Sequence, residues 1–241
     1  MMTQSKAIVL HSMKYGDAKM IIDILTQVHG RMSFICNVPK SGKGKIKKQF
    51  FQPLSILDIE YDYRLNSSFQ HFKDIRIAVP FVSIPFDPFK LSIALFVSEF
   101  LLYATRNEQT DKRLFLFVEK SAQWLDIVKG DYANFHLVFT IHLSAFLGIM
   151  PNVEEYCNGD IFDLREGRFV SAIPTHSNIL LPDEAEKLNV LFRLSYKTMH
   201  LCKMSRIERN RCAEVIILYY RLHIPNFPEM KSLDVLKQLF G

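Results

Sequence analysis

Pro39 to Lys48 reads Pro-Lys-Ser-Gly-Lys-Gly-Lys-Ile-Lys-Lys, which sets Lys40, Lys43, Lys45, Lys47 and Lys48 around Gly42 and Gly44. Ammonium groups this close repel one another unless an anion joins them, so the stretch points to phosphate. Two phosphate chemistries are open to it. A nucleotide-binding Walker loop needs G-x-x-x-x-G-K followed by Ser or Thr, whose hydroxyl reaches Mg²⁺. Here Pro39 stands at the first glycine position and Ile46 follows Gly44-Lys45, so the match fails at both ends. What remains is a polyanion held by charge, with a solvated run that only aids solubility as the bland alternative. The distribution of charge favours the former. Residues 1–48 hold nine Lys or Arg against Asp17 and Asp23, a net of +7, whereas the whole chain is +5 and the remainder therefore −2.

Other chemistry is sparse. There is no G-x-S-x-G elbow and no H-E-x-x-H. His136 and His142 are six apart, on different faces of one helix, and read as packing histidines. The pairs Glu154-Glu155 and Asp183-Glu184 fit a solvated turn and a helix start. An enzyme lacks a site. A second basic segment carries Arg193, Lys197, Lys203, Arg206, Arg209 and Arg211 against Glu208, interleaved with Leu194, Met199, Leu201, Met204 and Ile207. Such a pattern fits an acidic peptide with a hydrophobic anchor, or a solvated helix junction over core residues.

These residues need elements to place them. Lys6–His11, Met20–Thr26 and Arg31–Val38 read as short strands, with His29-Gly30 as a turn signal. Leu54–Tyr63 alternates with period two, and Ser68–Phe72 and Lys73–Val79 complete the set. About five short strands around a basic loop predict a small closed barrel over residues 1–80. Pro80, Pro85 and Pro88 mark the change of class, with Asp87 as N-cap before Pro88. Helices follow at Phe89–Thr105, Asp111–Val128, Tyr132–Ile149, from Pro182, at Arg206–His223 and at Ser232–Phe240. The fold class is α+β, with helical segments at 81–150 and 183–241 and an irregular insertion at 151–182.

With 241 residues, 49% hydrophobic and 20 Phe, the chain builds a substantial core. The first ten residues lack the apolar run of a secretory signal, and the two most apolar stretches are too short to span a bilayer. Cys36, Cys157, Cys202 and Cys212 form no C-x-x-C pair, so a reducing cytoplasm is expected.

Several weak motifs then fall in a familiar order. Lys6-Ala7-Ile8-Val9-Leu10, Tyr15-Gly16-Asp17-Ala18, Leu25-Thr26, His29-Gly30, the lysine loop and Gln52-Pro53-Leu54 resemble the start of the bacterial recombination mediator family RecO. Tyr219-Tyr220-Arg221-Leu222-His223 and Lys231-Ser232-Leu233-Asp234-Val235-Leu236 resemble its end. The resemblance implies an N-terminal OB-fold, a helical domain, and a role in DNA repair by homologous recombination. It also implies binding of single- and double-stranded DNA, strand annealing, and work with RecR and sometimes RecF to load RecA. The acidic tail of the single-strand-binding protein SSB would dock on the helical domain. Many members carry a four-cysteine zinc module in the insertion. Here that stretch keeps only Cys157, too few ligands for structural zinc, so no metal or cofactor is expected and Phe162, Leu164 and Phe169 should hold the lobe.

The two lines of reasoning meet at the barrel, since OB-folds hold single strands in a charged groove with aromatic platforms. The expected DNA contacts are Arg31, Lys40, Lys43, Lys45, Lys47, Lys48, Phe50 and Phe51. Phe34, Tyr61 and Tyr63 are further stacking candidates, although most aromatics of an alternating strand belong to the core. The expected SSB-tail contacts are Arg193, Lys197, Arg206 and Arg211. Two other classes fit the same charge: an RNA-binding OB protein, and an adaptor for acidic protein partners. The expected location is the cytoplasm, at the nucleoid, with no membrane partner.

Overall fold

The computed structural model describes residues 2–38, 46–106 and 110–239. The chain divides into two compact units, Met1–Ile127 and Val128–Gly241.

The first unit opens with β1 (Met2–Tyr15), β2 (Lys19–Thr26), β3 (Gly30–Asn37), β4 (Ile56–Asp62) and β5 (Phe72–Val79), then α1 (Pro88–Ala104) and α2 (Lys112–Ile127). β1 is 14 residues long, well beyond the expected Lys6–His11, because it serves two partners. Its first half pairs with β4 and its second half with β2, and the register shifts between Val9 and His11. A bulge of this kind bends a strand and lets one chain segment cross from one pairing to another. All four ladders are antiparallel, in the order β3-β2-β1-β4-β5.

The ladder remains open between β3 and β5, where a closed barrel was expected. A single parallel bridge, Phe34 to Gln70, spans the gap through Ile35 N–H to Gln70 O (3.0 Å) and Gln70 N–H to Ser33 O (2.9 Å). That bridge is what the expected Ser68–Phe72 strand amounts to; β5 proper begins at Phe72. The strand order with its parallel link is that of an OB-fold. The interior is filled by Ala7, Val9, Ile22, Ile24, Phe34, Phe51, Leu57, Ile59 and Tyr61.

Asp87 caps α1 by accepting from the N–H groups of Phe89 and Lys90, with Pro88 in the first turn. The entry to α1 is pinned to the end of α2. The Asp126 carboxylate accepts the backbone N–H groups of Val82, Ser83 and Ile84 at 2.8–2.9 Å. Lys90 is buried, and its Nζ donates to Ser83 Oγ and to Asp126 O.

The second unit holds α3 (Phe135–Phe146), a small sheet of β6 (Ile161–Asp163), β7 (Arg168–Val170) and β8 (Ile179–Leu180), then α4 (Pro182–Phe192), α5 (Arg206–His223) and α6 (Lys231–Leu239). The stretch read as irregular thus contains a three-stranded sheet in the order β7-β6-β8. Phe162, Leu164 and Phe169 are buried within this lobe. Tyr219 and Tyr220 of α5 donate to Ile149 O and Thr140 O. Ser205 and Glu208 form a reciprocal capping box at the start of α5. No helix among the described residues is long and apolar enough to cross a membrane.

Candidate nucleic-acid interface

The register of β1, β2 and β3 fixes which side chains share the outer face of the sheet. Tyr15, Lys19 and Asn37 form one row, Met13, Ile21 and Ile35 the next, and His11, Asp23 and Ser33 the third. Tyr15 is 56% exposed and Met13 48%, unusual values for apolar groups on a sheet. The fourth row, Ile8, Leu25 and Arg31, is different. Ile8 and Leu25 are buried, and α1 packs on β1. The face is therefore open at the hairpin end, where Tyr15, Met13, Ile21 and Ile35 give it an apolar patch, and covered at the other, with the polar row His11, Asp23 and Ser33 between.

Cations stand at both ends. At the open end, Lys14, Lys19, Lys47 and Lys48 line a groove of about 550 Å³ with Asp17, Met20, Val38 and Ile46. Lys47 and Lys48 are exposed there. Lys40, Lys43 and Lys45 lie outside the described residues. Lys14 and Lys19 escaped the sequence reading because they flank the Tyr15–Ala18 turn singly; their only signal was the excess charge of the first 48 residues.

At the covered end, Arg31, Arg64 and Arg106 line a cleft of about 400 Å³ with His29, Tyr63, Ser33, Ser67, Ser68 and Gln70. Gly30 is left-handed (φ 68°) and closes the β2–β3 turn. The Thr26 hydroxyl accepts from His29 N–H and donates to Gly30 O, which sets the His29 ring in place. That ring stacks on Tyr63 at 4.0 Å between centroids and 10° between planes, and its Nδ1 lies 2.6 Å from Tyr61 OH. Burial holds the His29 imidazole below its ordinary range. The opposite wall is the 64–70 turn, organised by the buried Gln70 side chain, which accepts from Arg64 N–H and donates to the Arg64 and Ser67 carbonyls. Arg31 is half-buried, and burial presses its pKa down, as does Arg106, against the pull of Asp23.

The aromatic expectations separate cleanly. Phe51 is 3% exposed and faces Phe72, so it belongs to the core and offers no ring to a base; this corrects its place among the contacts. Phe34 and Tyr61 are likewise fully buried. Phe50, next to Phe51, is half-buried against the core, and Tyr63 is half-exposed in the arginine cleft.

Asp23 is the acid within the third row. Burial raises its pKa, but hydrogen bonds from His11 and Ser33 and the charge of Arg31 outweigh this and lower it overall. The outer face of β4 and β5 carries the opposite charge. Asp58, Glu60, Asp62 and Asp74 stand there, Glu60 directly across from Asp74. Arg76 pairs with Asp58 and Lys73 with Asp62.

In the second unit, the four expected peptide contacts are not equivalent. Arg211 forms a two-pronged pair with Glu184 (2.6 and 3.3 Å) and lies 4.0 Å from Glu214, so its charge is already matched. Arg206 donates to Lys237 O, and Arg193 to Asn189 Oδ1 and Val153 O. Lys197 is exposed in the turn after α4. Arg209 has a structural role, donating to Asn134 Oδ1 and Met204 O. Exposed Leu201 and Ile207 are the apolar neighbours in this segment.

The lobe does not suit zinc. Cys157 is exposed, and its turn is closed by hydrogen bonds, Asp160 Oδ2 accepting from Cys157 N–H (2.8 Å) and Cys157 O from Asp160 N–H (3.1 Å). Among the described residues no group of three or more His, Cys, Asp or Glu is placed to hold a metal ion.

Comparison with known proteins identifies a family. A family model described as "Recombination protein O N terminal" matches residues 1–81, and "Recombination protein O C terminal" matches residues 85–233. A protein of Phocaeicola vulgatus named DNA repair protein RecO is 47% identical over 241 residues, covering all of both chains. Proteins of the same name from Bacteroides fragilis and Porphyromonas gingivalis are 48% and 32% identical, again over the full length of both chains.

Proposed function

Because this chain belongs to the recombination protein O family of DNA repair proteins, we propose that it binds nucleic acid along the outer face of β1–β3 and brings complementary DNA strands together during repair. One observation carries the reading. Lys14, Lys19, Lys47 and Lys48 stand at one end of an exposed face whose first two rows carry Met13, Tyr15, Ile21 and Ile35, and Arg31, Arg64 and Arg106 stand at the other, beyond the polar row His11, Asp23 and Ser33. Phosphates meet the cations while bases lie over Met13, Tyr15, Ile21 and Ile35. Stacking and dispersion of this kind tolerate any base, so binding is independent of sequence.

Annealing then needs no covalent step and no catalytic residue. Neutralising phosphates lowers the repulsion between two strands, and base pairing does the rest. The wider role we propose is that of a mediator that binds single- and double-stranded DNA and, together with RecR and, where present, RecF, helps to load RecA on SSB-coated single strands. The SSB tail would meet Arg193, Lys197 and Arg206 beside Leu201 and Ile207. The match of Arg211 to Glu184 makes it the weakest member of that set.

The test is a strand-annealing assay with complementary oligonucleotides, bare and SSB-coated, beside anisotropy titrations of single-stranded DNA and RNA. Faster annealing that fails in a Lys14, Lys19, Lys47, Lys48 to Ala variant supports the reading. Tighter binding to RNA would replace it with an RNA-binding role. Absence of nucleic-acid affinity at physiological salt would leave an adaptor for acidic proteins.

A further inference from the structure

The outer face of β1–β3 is blind at its arginine end. Its first three rows are open, but the fourth is roofed by α1, which packs on β1 over Ile8 and Leu25. Beyond it the chain crosses close to the β2–β3 turn. A methyl group added at Gly30 would meet Thr110 Oγ1 at 3.3 Å and its Cα at 3.6 Å. A strand laid along this face from the lysine groove therefore meets a wall, and Arg31, Arg64 and Arg106 are gathered at that wall.

The composition of the cleft narrows its ligand. No carboxylate lines it among the described residues, although Asp23 in the neighbouring row attracts Arg31; its remaining polar groups are the hydroxyls of Ser33, Ser67 and Ser68 and the amide of Gln70. Arg64 and Arg106 are exposed, and neither forms an ion pair among the described residues. Like charges assemble at a cost, which an anion of matching charge removes. A backbone phosphodiester brings one negative charge. A phosphomonoester brings about −1.5 to −2 and three acceptor oxygens, a better match to three forked guanidinium groups. The stacked rings of His29 and Tyr63 on the same cleft offer an aromatic wall to an adjoining base.

We propose that the Arg31–Arg64–Arg106 cleft is a stop that holds the phosphorylated end of a nucleic-acid strand, so that the protein distinguishes a phosphate terminus from a hydroxyl terminus. The proposal rests on the strand-binding role given above. It assigns two tasks to the two ends of one face: the lysine groove holds backbone, and the arginine cleft holds the terminus.

The experiment uses the full chain and four probes: a short single-stranded DNA with a 5′-phosphate, the same DNA with a 3′-phosphate, the same DNA with hydroxyl ends, and free deoxyadenosine monophosphate. Arg64→Ala with Arg106→Ala is the test variant, chosen because both side chains are exposed. Lys47→Ala with Lys48→Ala is the control. One phosphorylated form should bind about tenfold more tightly than the hydroxyl form, the effect of one added charge-assisted hydrogen bond. The arginine variant should erase that difference, while the lysine variant weakens all DNA forms alike. Equal affinity for the phosphorylated and hydroxyl forms overturns the proposal. So does a phosphate preference that survives in the arginine variant. Free deoxyadenosine monophosphate binding as tightly as the phosphorylated strand overturns the assignment to strand ends in favour of a nucleotide site. If none of the DNA forms binds, the strand-binding role itself fails, a result distinct from each of these.

Discussion

Lys6 Nζ lies 2.7 Å from Glu119 Oε1, joining the first strand of the barrel to α2 across 113 residues of sequence. The carboxylate is 4% exposed and the lysine 42%, so the acid depends on this cation far more than the reverse. Lys6→Ala should destabilise the protein by about 2 kcal/mol, less than the loss typical of wholly buried pairs because half of this one is wet. Urea unfolding measures it. Adding Glu119→Gln to the same variant should restore most of the loss, since a neutral amide is cheaper to bury than an uncompensated charge.

The lysine groove makes a quantitative claim. Each phosphate contact on single-stranded DNA contributes about −0.7 to the slope of log affinity against log salt. Replacing Lys14, Lys19, Lys47 and Lys48 by Ala should flatten that slope by up to about 2.8. A weaker affinity with an unchanged slope would mean that these lysines shape the groove without touching phosphate.

Adjacent phenylalanines should separate stability from binding. Phe51 is in the core beside Phe72, so Phe51→Ala should cost about 3–5 kcal/mol. Phe50 is only partly buried, and Phe50→Ala should cost clearly less. Thermal or urea unfolding of the two variants ranks them; the reverse order would place the wrong ring in the core.

Acid should destabilise the second unit through His136. The ring is 1% exposed; burial, and then the charge of Arg209, lower its pKa from 6.5 to about 3. The unfolded chain takes up its proton near 6.5 and the folded one only near 3, so stability is complete above 6.5 and falls as the pH drops through that window. Between pH 6.5 and 5 the ordinary carboxylates stay ionised, which leaves His136 and, in the first unit, His29, whose pKa burial also lowers. His136→Gln should flatten the decline in urea midpoint over that range. A decline of the same size in the variant would assign it to another group.

Four of the first five strands, the helices and the Asp87 cap were legible because periodicity and capping are local, whereas the short strands β6, β7 and β8 carry too few residues to show a period. The Asp87-Pro88 start of α1 is one instance, and the alternating burial of β4 is another. The reach of β1 was not, because its extension to Tyr15 depends on a bulge that serves two partner strands. The proposed binding face was half legible. Lys47 and Lys48 announced themselves by clustering in sequence. The arginine cleft draws on positions 31, 64 and 106, each an isolated charge in its own segment, and only the turn at Gly30, the Gln70 loop and the end of α1 bring them together. Arg211 shows the converse limit, since its partner Glu184 comes from another helix and leaves no mark in the basic segment.

The acids Asp58, Glu60, Asp62 and Asp74 on β4–β5 have a consequence for how the protein meets a polyanion. With cations on one side of a small barrel and carboxylates on another, the unit carries an electric dipole. In the field of DNA such a body is torqued before it touches, within roughly a Debye length of about 8 Å at physiological salt. The barrel therefore arrives already turned, fewer encounters are wasted on the wrong side, and its trailing side stays clear of nucleic acid. High salt should slow capture by removing that alignment as well as by weakening the bound state.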